Sequence, residues 1–248
     1  MTDPVAAPVA RARRPFKPDC AWGLGDVGFG ILAAQFLSLL VTLMAMGAAG
    51  WKTSDDIPLW AGALLQIPLW VGYLGAVVVA GRTKGHGVVQ DFGLRVRPLD
   101  APIGIVIGVA MQLVVLPLLY IPILSLLGKT GDDLSAPARA LSDKADGAVG
   151  WVLLVLIVVV GAPIVEELFF RGLLLRSLQK RGIGDVWSCV LCAAIFAAIH
   201  LQPLQFVGLF AIGLVLSVLA VRTGRLGPCI WTHAAFNAAS VALLYASR

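Results

Sequence analysis

Charge is scarce in this chain, and glutamate is scarcest of all. Only 13% of the 248 residues are charged, and the acids include just two glutamates, Glu166 and Glu167, side by side in "APIVEELFFRGLLL". With 59% hydrophobic residues and a mean hydropathy of +0.90, the balance of a soluble globular domain is excluded. The chain reads as an all-α, polytopic membrane protein. No HExxH is present, because Val165 precedes the glutamates, so the commonest helical zinc-protease signature is absent. Cysteine is limited to Cys20, Cys189, Cys192 and Cys229. The last three fall in or beside apolar stretches, where a small polarizable side chain packs well. No thioredoxin-like strand pattern surrounds the CxxC of Cys189 and Cys192, which argues against a redox role.

What is abundant is long apolar sequence. Stretches of roughly 18 or more such residues are what a bilayer of about 30 Å demands of a helix. About seven are present, in a range of six to eight: approximately Val27–Ala49, Pro58–Ala80, Ile103–Leu127, Val149–Leu175, Val186–His200, Leu204–Val221 and Gly227–Ala246. The fifth is short and ends at "HLQP". Basic residues alternate in density along the connections. Arg11, Arg13, Arg14, Lys17, Arg82, Lys84, Arg95, Arg97, Arg176, Lys180, Arg181, Arg222 and Arg225 share one side, against Lys52, Lys129, Arg139, Lys144 and Arg248 on the other. The positive-inside rule then places the N-terminus in the cytoplasm. The net charge of +5 reads as topology and contact with anionic lipid, not as nucleic-acid binding.

Residues 1–21, rich in Ala, Pro and Arg, read as a disordered cytoplasmic tail. A polar lead of that length before a full-length first span argues against a cleaved signal peptide. Residues 22–248 read as one integral membrane domain. Between the third and fourth spans, "LSAPARALSDKA" is weakly amphipathic and suits a membrane surface. The basic connection Gly81–Asp100 is expected at the cytoplasmic headgroups. Neither internal repeats nor inverted symmetry of the transporter kind is evident.

Ionisable groups within spans cost about 2.5 to 3.5 kcal/mol each at mid-bilayer on insertion scales, so each is a functional candidate. Glu167 and Arg171 are four apart with the acid first, hence on one helical face and able to pair. Glu166 is turned about 100° away from Glu167 and is left as the free carboxylate. His200 ends the fifth span one turn after Phe196. His233 and Asn237, the only asparagine, are again four apart in the seventh. Counting about 1.5 Å per residue from the cytoplasmic ends, Glu166 lies about 15 Å deep, His233 about 10 Å and His200 about 22 Å. Tilt can absorb several Å of that spread, so a shared polar centre is expected. A single buried His or Asn is usually a packing residue; the expectation rests on three helices converging.

Two carboxylates, two imidazoles and an amide suit activation of water and stabilisation of an oxyanion. On this reading Glu166 and His200 hold and deprotonate a water, His233 and Asn237 receive the charge developing on a scissile carbonyl, and Glu167 with Arg171 orients the site.

"EELFFR" at Glu166–Arg171, "FAAIH" at Phe196–His200 and "HAAFN" at His233–Asn237 resemble the three ordered motifs of the CPBP family, the CAAX-protease and bacteriocin-processing enzymes also called Abi. The likeness covers about residues 162–239, within a core at about 148–246. It implies an intramembrane endopeptidase that uses a glutamate-activated water. Its catalytic set would be Glu166, His200, His233 and Asn237, supported by Glu167, Arg171 and Phe196. The expected substrate is a hydrophobic or membrane-anchored peptide, and the expected setting is a bacterial plasma membrane.

Three alternatives stand beside it. No cofactor is expected, yet Glu166, His200 and His233 also form a familiar catalytic zinc set. An aspartyl protease would need buried aspartates, whereas the GxGD matches ending at Asp26 and Asp185 stand at helix starts, where Asp caps; a rhomboid-like serine enzyme would need GxSG, which is absent. A non-catalytic scaffold, immunity factor or transporter would keep the polar centre for binding alone.

Overall fold

In hydrocarbon a single chain segment satisfies its backbone by forming a helix. The computed structural model, which describes residues 19–247, is helical with no strand among them. Nine helices and a 3-10 turn at Ser54–Asp56 follow in order among the described residues. They are α1 Leu24–Ala49, α2 Leu59–Lys84, the short α3 Val88–Phe92, α4 Asp100–Leu127, α5 Gly131–Ser142, α6 Gly147–Lys180, α7 Asp185–Ala198, α8 Phe206–Thr223 and α9 Gly227–Ala246.

Six of them, α1, α2, α4, α6, α8 and α9, are long and apolar enough to cross a membrane. α7 has 14 residues, about 21 Å at 1.5 Å per residue. It corresponds to the stretch that the sequence marks as short, so about seven spans resolve into six long helices and one short one. Many large apolar side chains face outward, where lipid accommodates them. On α1, Phe29, Leu32, Phe36 and Leu39 are 60% to 72% exposed.

Lipid supplies no hydrophobic drive between helices, so close backbone approach through small residues holds them together. Gly104 and Gly108 form a GxxxG on α4 that lies against Trp231, Thr232 and Ala235 of α9; a Cβ on Gly104 would sit 2.6 Å from the Trp231 Cβ, and one on Gly108 would strike the Thr232 carbonyl oxygen. α9 is thereby seated with His233 turned toward α6. On the other side Tyr73, Phe169, Phe170 and Phe196 form an aromatic core, with centroids 4.4 Å apart for Tyr73–Phe169 and 5.3 Å for Phe170–Phe196. These rings pack α2 and α7 onto α6.

The connection after α2 does not simply rest at the headgroups as the sequence suggests. Asp91, Phe92 and Asp100 are buried, and the Phe92 ring packs 5.1 Å from that of Trp22. Asp100 anchors the loop before α9 by accepting from Arg225 Nη2 at 2.6 Å and Nε at 3.2 Å. The tail expected to be disordered lies, up to residue 18, outside the described residues, as does Arg248. Within them, Lys180 Nζ donates to the carbonyls of Cys20 and Trp22, so the end of that segment is tied down. The amphipathic stretch between the third and fourth spans is α5. Its start is closed by Thr130 and Asp133 in a reciprocal capping box.

Candidate active site

α6 is not one regular α-helix. Residues Leu156–Gly161 and Glu167–Leu174 wind as π-helix, separated by an α turn at Ala162–Glu166. Such π segments are concentrated at functional sites, because widening the ladder re-aims side chains and frees carbonyls. Here the second begins at Glu167 itself.

The Glu167 carboxylate is fully buried. Its Oε1 accepts from Arg171 Nη1 at 2.9 Å and meets His233 Nδ1 at 2.8 Å. Helical spacing makes the first contact; only the packing of α9 on α6 makes the second. Oε2 of the same carboxylate is buried without a hydrogen-bond partner among the described residues. Arg171, also fully buried, donates through Nη2 to the Gly213 carbonyl on α8 at 3.1 Å and lies 4.5 Å over the Phe196 ring. One guanidinium thus ties α6, α7 and α8 together through charge-assisted bonding and cation–π contact.

Glu166 stands apart. Its side chain is 19% exposed, and its nearest ion-pair contact among the described residues is His233 Nε2, 3.8 Å from Oε2. That separation exceeds a hydrogen bond, but an oxygen about 2.8 Å from both atoms would bridge them at an angle of about 85°. Tyr73 of α2 is within electrostatic reach of the same carboxylate.

The two imidazoles are oriented differently. His200 Nδ1 lies 2.6 Å from the Phe196 carbonyl. A carbonyl only accepts, so that nitrogen carries a proton, and in the neutral ring Nε2 presents a lone pair. With the His233 Nδ1–H donated to the Glu167 carboxylate, Nε2 is the one nitrogen left to act on a bound group. It donates there as imidazolium and accepts as the neutral ring. The Phe196 ring links the pair, with centroids 4.7 Å from His200 and 5.9 Å from His233. Asn237 donates from Nδ2 to the Val158 carbonyl at 2.8 Å, inside the first π segment. Its other amide proton and its Oδ1 remain for other partners.

Six of the seven residues singled out in the sequence therefore lie along α6, α7 and α9, while His200, expected to end the fifth span, sits in the turn just beyond the Ala198 end of α7. Glu167, Arg171, His233 and Phe196 form one connected cluster, with Glu166 and His200 at its margin. Asn237 is tethered to the other π segment. What sequence reading missed are the carbonyl partners at Val158 and Gly213 and the bridging of Glu167 to His233. Backbone oxygens carry no residue signature, and nothing in the apolar run Leu156–Gly161 separates a π ladder from an α one.

Residues 148–239 match the family model described as Rce1-like, type II CAAX prenyl endopeptidase. An Escherichia coli protein described as an uncharacterized 24.3 kDa protein is 30% identical over 191 residues, which cover 68% of this chain and 85% of that one. This chain belongs to the CPBP family. No solved structure matches it significantly. The matched CPBP region runs from the start of α6 into α9 and contains every residue of the cluster; α1 to α5 lie outside it and frame it.

A zinc ion in this CPBP site would need Glu166, His200 and His233 together. Among the described residues no group of three or more His, Cys, Asp or Glu side chains is gathered to hold a metal ion. The bond from His233 Nδ1 to Glu167 leaves Nε2 as the nitrogen a metal would meet. As arranged, the three do not form a tetrahedral ligand set. The thiols of Cys189, Cys192 and Cys229 are buried and unlinked, with Cys192 Sγ on the Phe170 carbonyl and Cys229 Sγ on the Leu216 carbonyl, each at 3.3 Å.

Proposed function

We propose that this CPBP protein is an endopeptidase of a bacterial plasma membrane, with its N-terminus in the cytoplasm, that hydrolyses a peptide bond in a hydrophobic or membrane-anchored substrate. The observation that carries the reading is the division of labour between adjacent glutamates. Glu167 is neutralised by Arg171 and bonded to His233, while Glu166 keeps an unbonded carboxylate 3.8 Å from the free nitrogen of that same imidazole.

In this mechanism Glu166 takes a proton from a water that His200 Nε2 orients through its lone pair. The water oxygen forms a bond to the scissile carbonyl carbon, and the carbonyl π pair moves onto oxygen. His233 Nε2–H and the second amide proton of Asn237 stabilise that oxyanion. Collapse of the intermediate breaks the C–N bond, and the proton on Glu166 passes to the leaving amine. Glu167 and Arg171 act through His233, fixing which nitrogen faces the substrate.

The test is Glu166→Gln. Loss of a positioned general base removes roughly 10²- to 10⁴-fold in rate. Membrane fractions of cells carrying wild type should contain new peptide termini that are absent with Glu166→Gln. A non-catalytic scaffold or immunity role predicts the same termini, or the same phenotype, with both proteins, and that result would overturn the proposal.

A further inference from the structure

Toward the end of the bundle that carries Lys180 and Arg222, a cavity of about 540 Å³ opens between α6, α7, α8 and the connection that follows α3. Its lining includes Arg95, Arg171, Arg176 and Arg222 against one carboxylate, Asp185. Four guanidiniums and one carboxylate leave a formal +3 on the wall, or +2 once Glu167 is counted against Arg171. Asp91, behind Arg176, accepts the His86 backbone N–H at 2.7 Å, and its charge also acts on Arg176, which leaves +1 when it is counted as well.

Two features separate this cavity from a merely basic loop surface. Arg176 is 7% exposed and is held in place by the carbonyls of Asp91 at 2.8 Å and Gly224 at 3.0 Å. Gly93 and Gly224, both at φ +69°, bring their backbones against it; a Cβ at Gly93 would collide with the Arg176 guanidinium. Deeper in, Arg171 is fully buried, and its Nε–H has no hydrogen-bond partner among the described residues. Such an orphaned charged donor is costly unless something completes it. Folding has therefore fixed guanidinium groups around a hollow.

We propose that this hollow is a binding site for a phosphate-bearing anion, either the headgroup of an anionic phospholipid or a free phosphate. Guanidinium forks match phosphate oxygens in geometry and charge, and basic pockets between spans on the cytoplasmic side are where anionic headgroups collect. The rim favours lipid, since Val186 lines the cavity while 74% exposed, beside Trp187 at 66%. A headgroup can enter there with its acyl chains still in the bilayer.

The experiment uses the full chain in nanodiscs of phosphatidylcholine, of phosphatidylcholine with phosphatidylglycerol, and of phosphatidylcholine with added inorganic phosphate. Retained lipid is read by native mass spectrometry and the thermal midpoint is followed in each. Wild type should retain phosphatidylglycerol and melt higher in its presence. Arg95→Gln with Arg222→Gln should bind it roughly 25-fold more weakly, at about fivefold per arginine. An unchanged midpoint of that variant in pure phosphatidylcholine shows that it folds; if it does not fold, Arg95→Gln alone should show the fivefold effect. Stabilisation by inorganic phosphate alone, lost in the variant, assigns the site to a soluble anion. Equal phosphatidylglycerol retention by variant and wild type, or no response to either anion, overturns the site.

Discussion

Removing the Glu167 carboxylate should destabilise the protein, whereas removing the charge of Glu166 should leave its stability nearly unchanged. In Glu167→Ala the Arg171 guanidinium stays fully buried, with the Gly213 carbonyl at 3.1 Å and the Phe196 ring at 4.5 Å as its remaining partners. Breaking a buried pair by deleting one member costs about 3 to 5 kcal/mol. The retained ring contact and carbonyl bond argue for the lower end, about 3 kcal/mol. Adding Arg171→Met removes the stranded charge. The double variant then loses mainly the acceptor of His233, about 1 to 3 kcal/mol, so it should be more stable than Glu167→Ala alone. By contrast, Glu166→Gln alters a group whose nearest partner is 3.8 Å away and should stay within about 0.5 kcal/mol of wild type. Equilibrium unfolding of these four proteins and of Arg171→Met alone, in detergent micelles, checks the set. If the double variant equals the sum of the singles within about 0.5 kcal/mol, the buried pair is not coupled, and the account of what holds His233 in place fails.

Two further outcomes follow from the packing and the caps. Gly108→Val would drive a branched side chain into the Thr232 carbonyl and Ala235; overpacking of this kind costs about 1 to 3 kcal/mol. It should lower both the thermal midpoint and peptide cleavage, by displacing His233, and an unaffected midpoint would show that α4 and α9 are not held by this approach. At the start of α5, Asp133 is held below the usual carboxylate range, chiefly by the backbone N–H of Thr130 and then by its hydroxyl. Its folded pKa is depressed, so its contribution is present above the ordinary Asp value of about 3.9 and is lost as pH falls through the folded value. Amide exchange across residues 131–142, compared between wild type and Asp133→Asn as pH is lowered from about 6 to well below the ordinary Asp value of about 3.9, should draw together as pH falls through the folded value. Curves that differ by a constant factor at every pH would refute the cap.

Much of this architecture is written locally. A bilayer leaves a span one way to satisfy its backbone, so length and hydropathy alone mark the six long helices and the short α7. The pairing of Glu167 with Arg171 is equally local, because residues four apart on a helix must meet. The scarcity of polar residues does the rest: with two glutamates, one asparagine and three histidines, few positions are available for chemistry, and the three motifs name them.

Tertiary structure decided how those positions are used. His233 is 66 residues from Glu167, and its Nδ1 reaches that carboxylate because Gly104 and Gly108 let α9 settle against α4. The tether of Asn237 to Val158 depends on a π segment that no residue pattern in an apolar run discloses. The basic hollow likewise gathers Arg95 from the connection after α3, Arg176 from the end of α6 and Arg222 from the end of α8. Sequence specified which side chains would resist hydrocarbon, since transfer energy belongs to each residue alone. Which atom of each faces its partner is set by the approach of whole helices, a property of many small contacts that no single stretch contains.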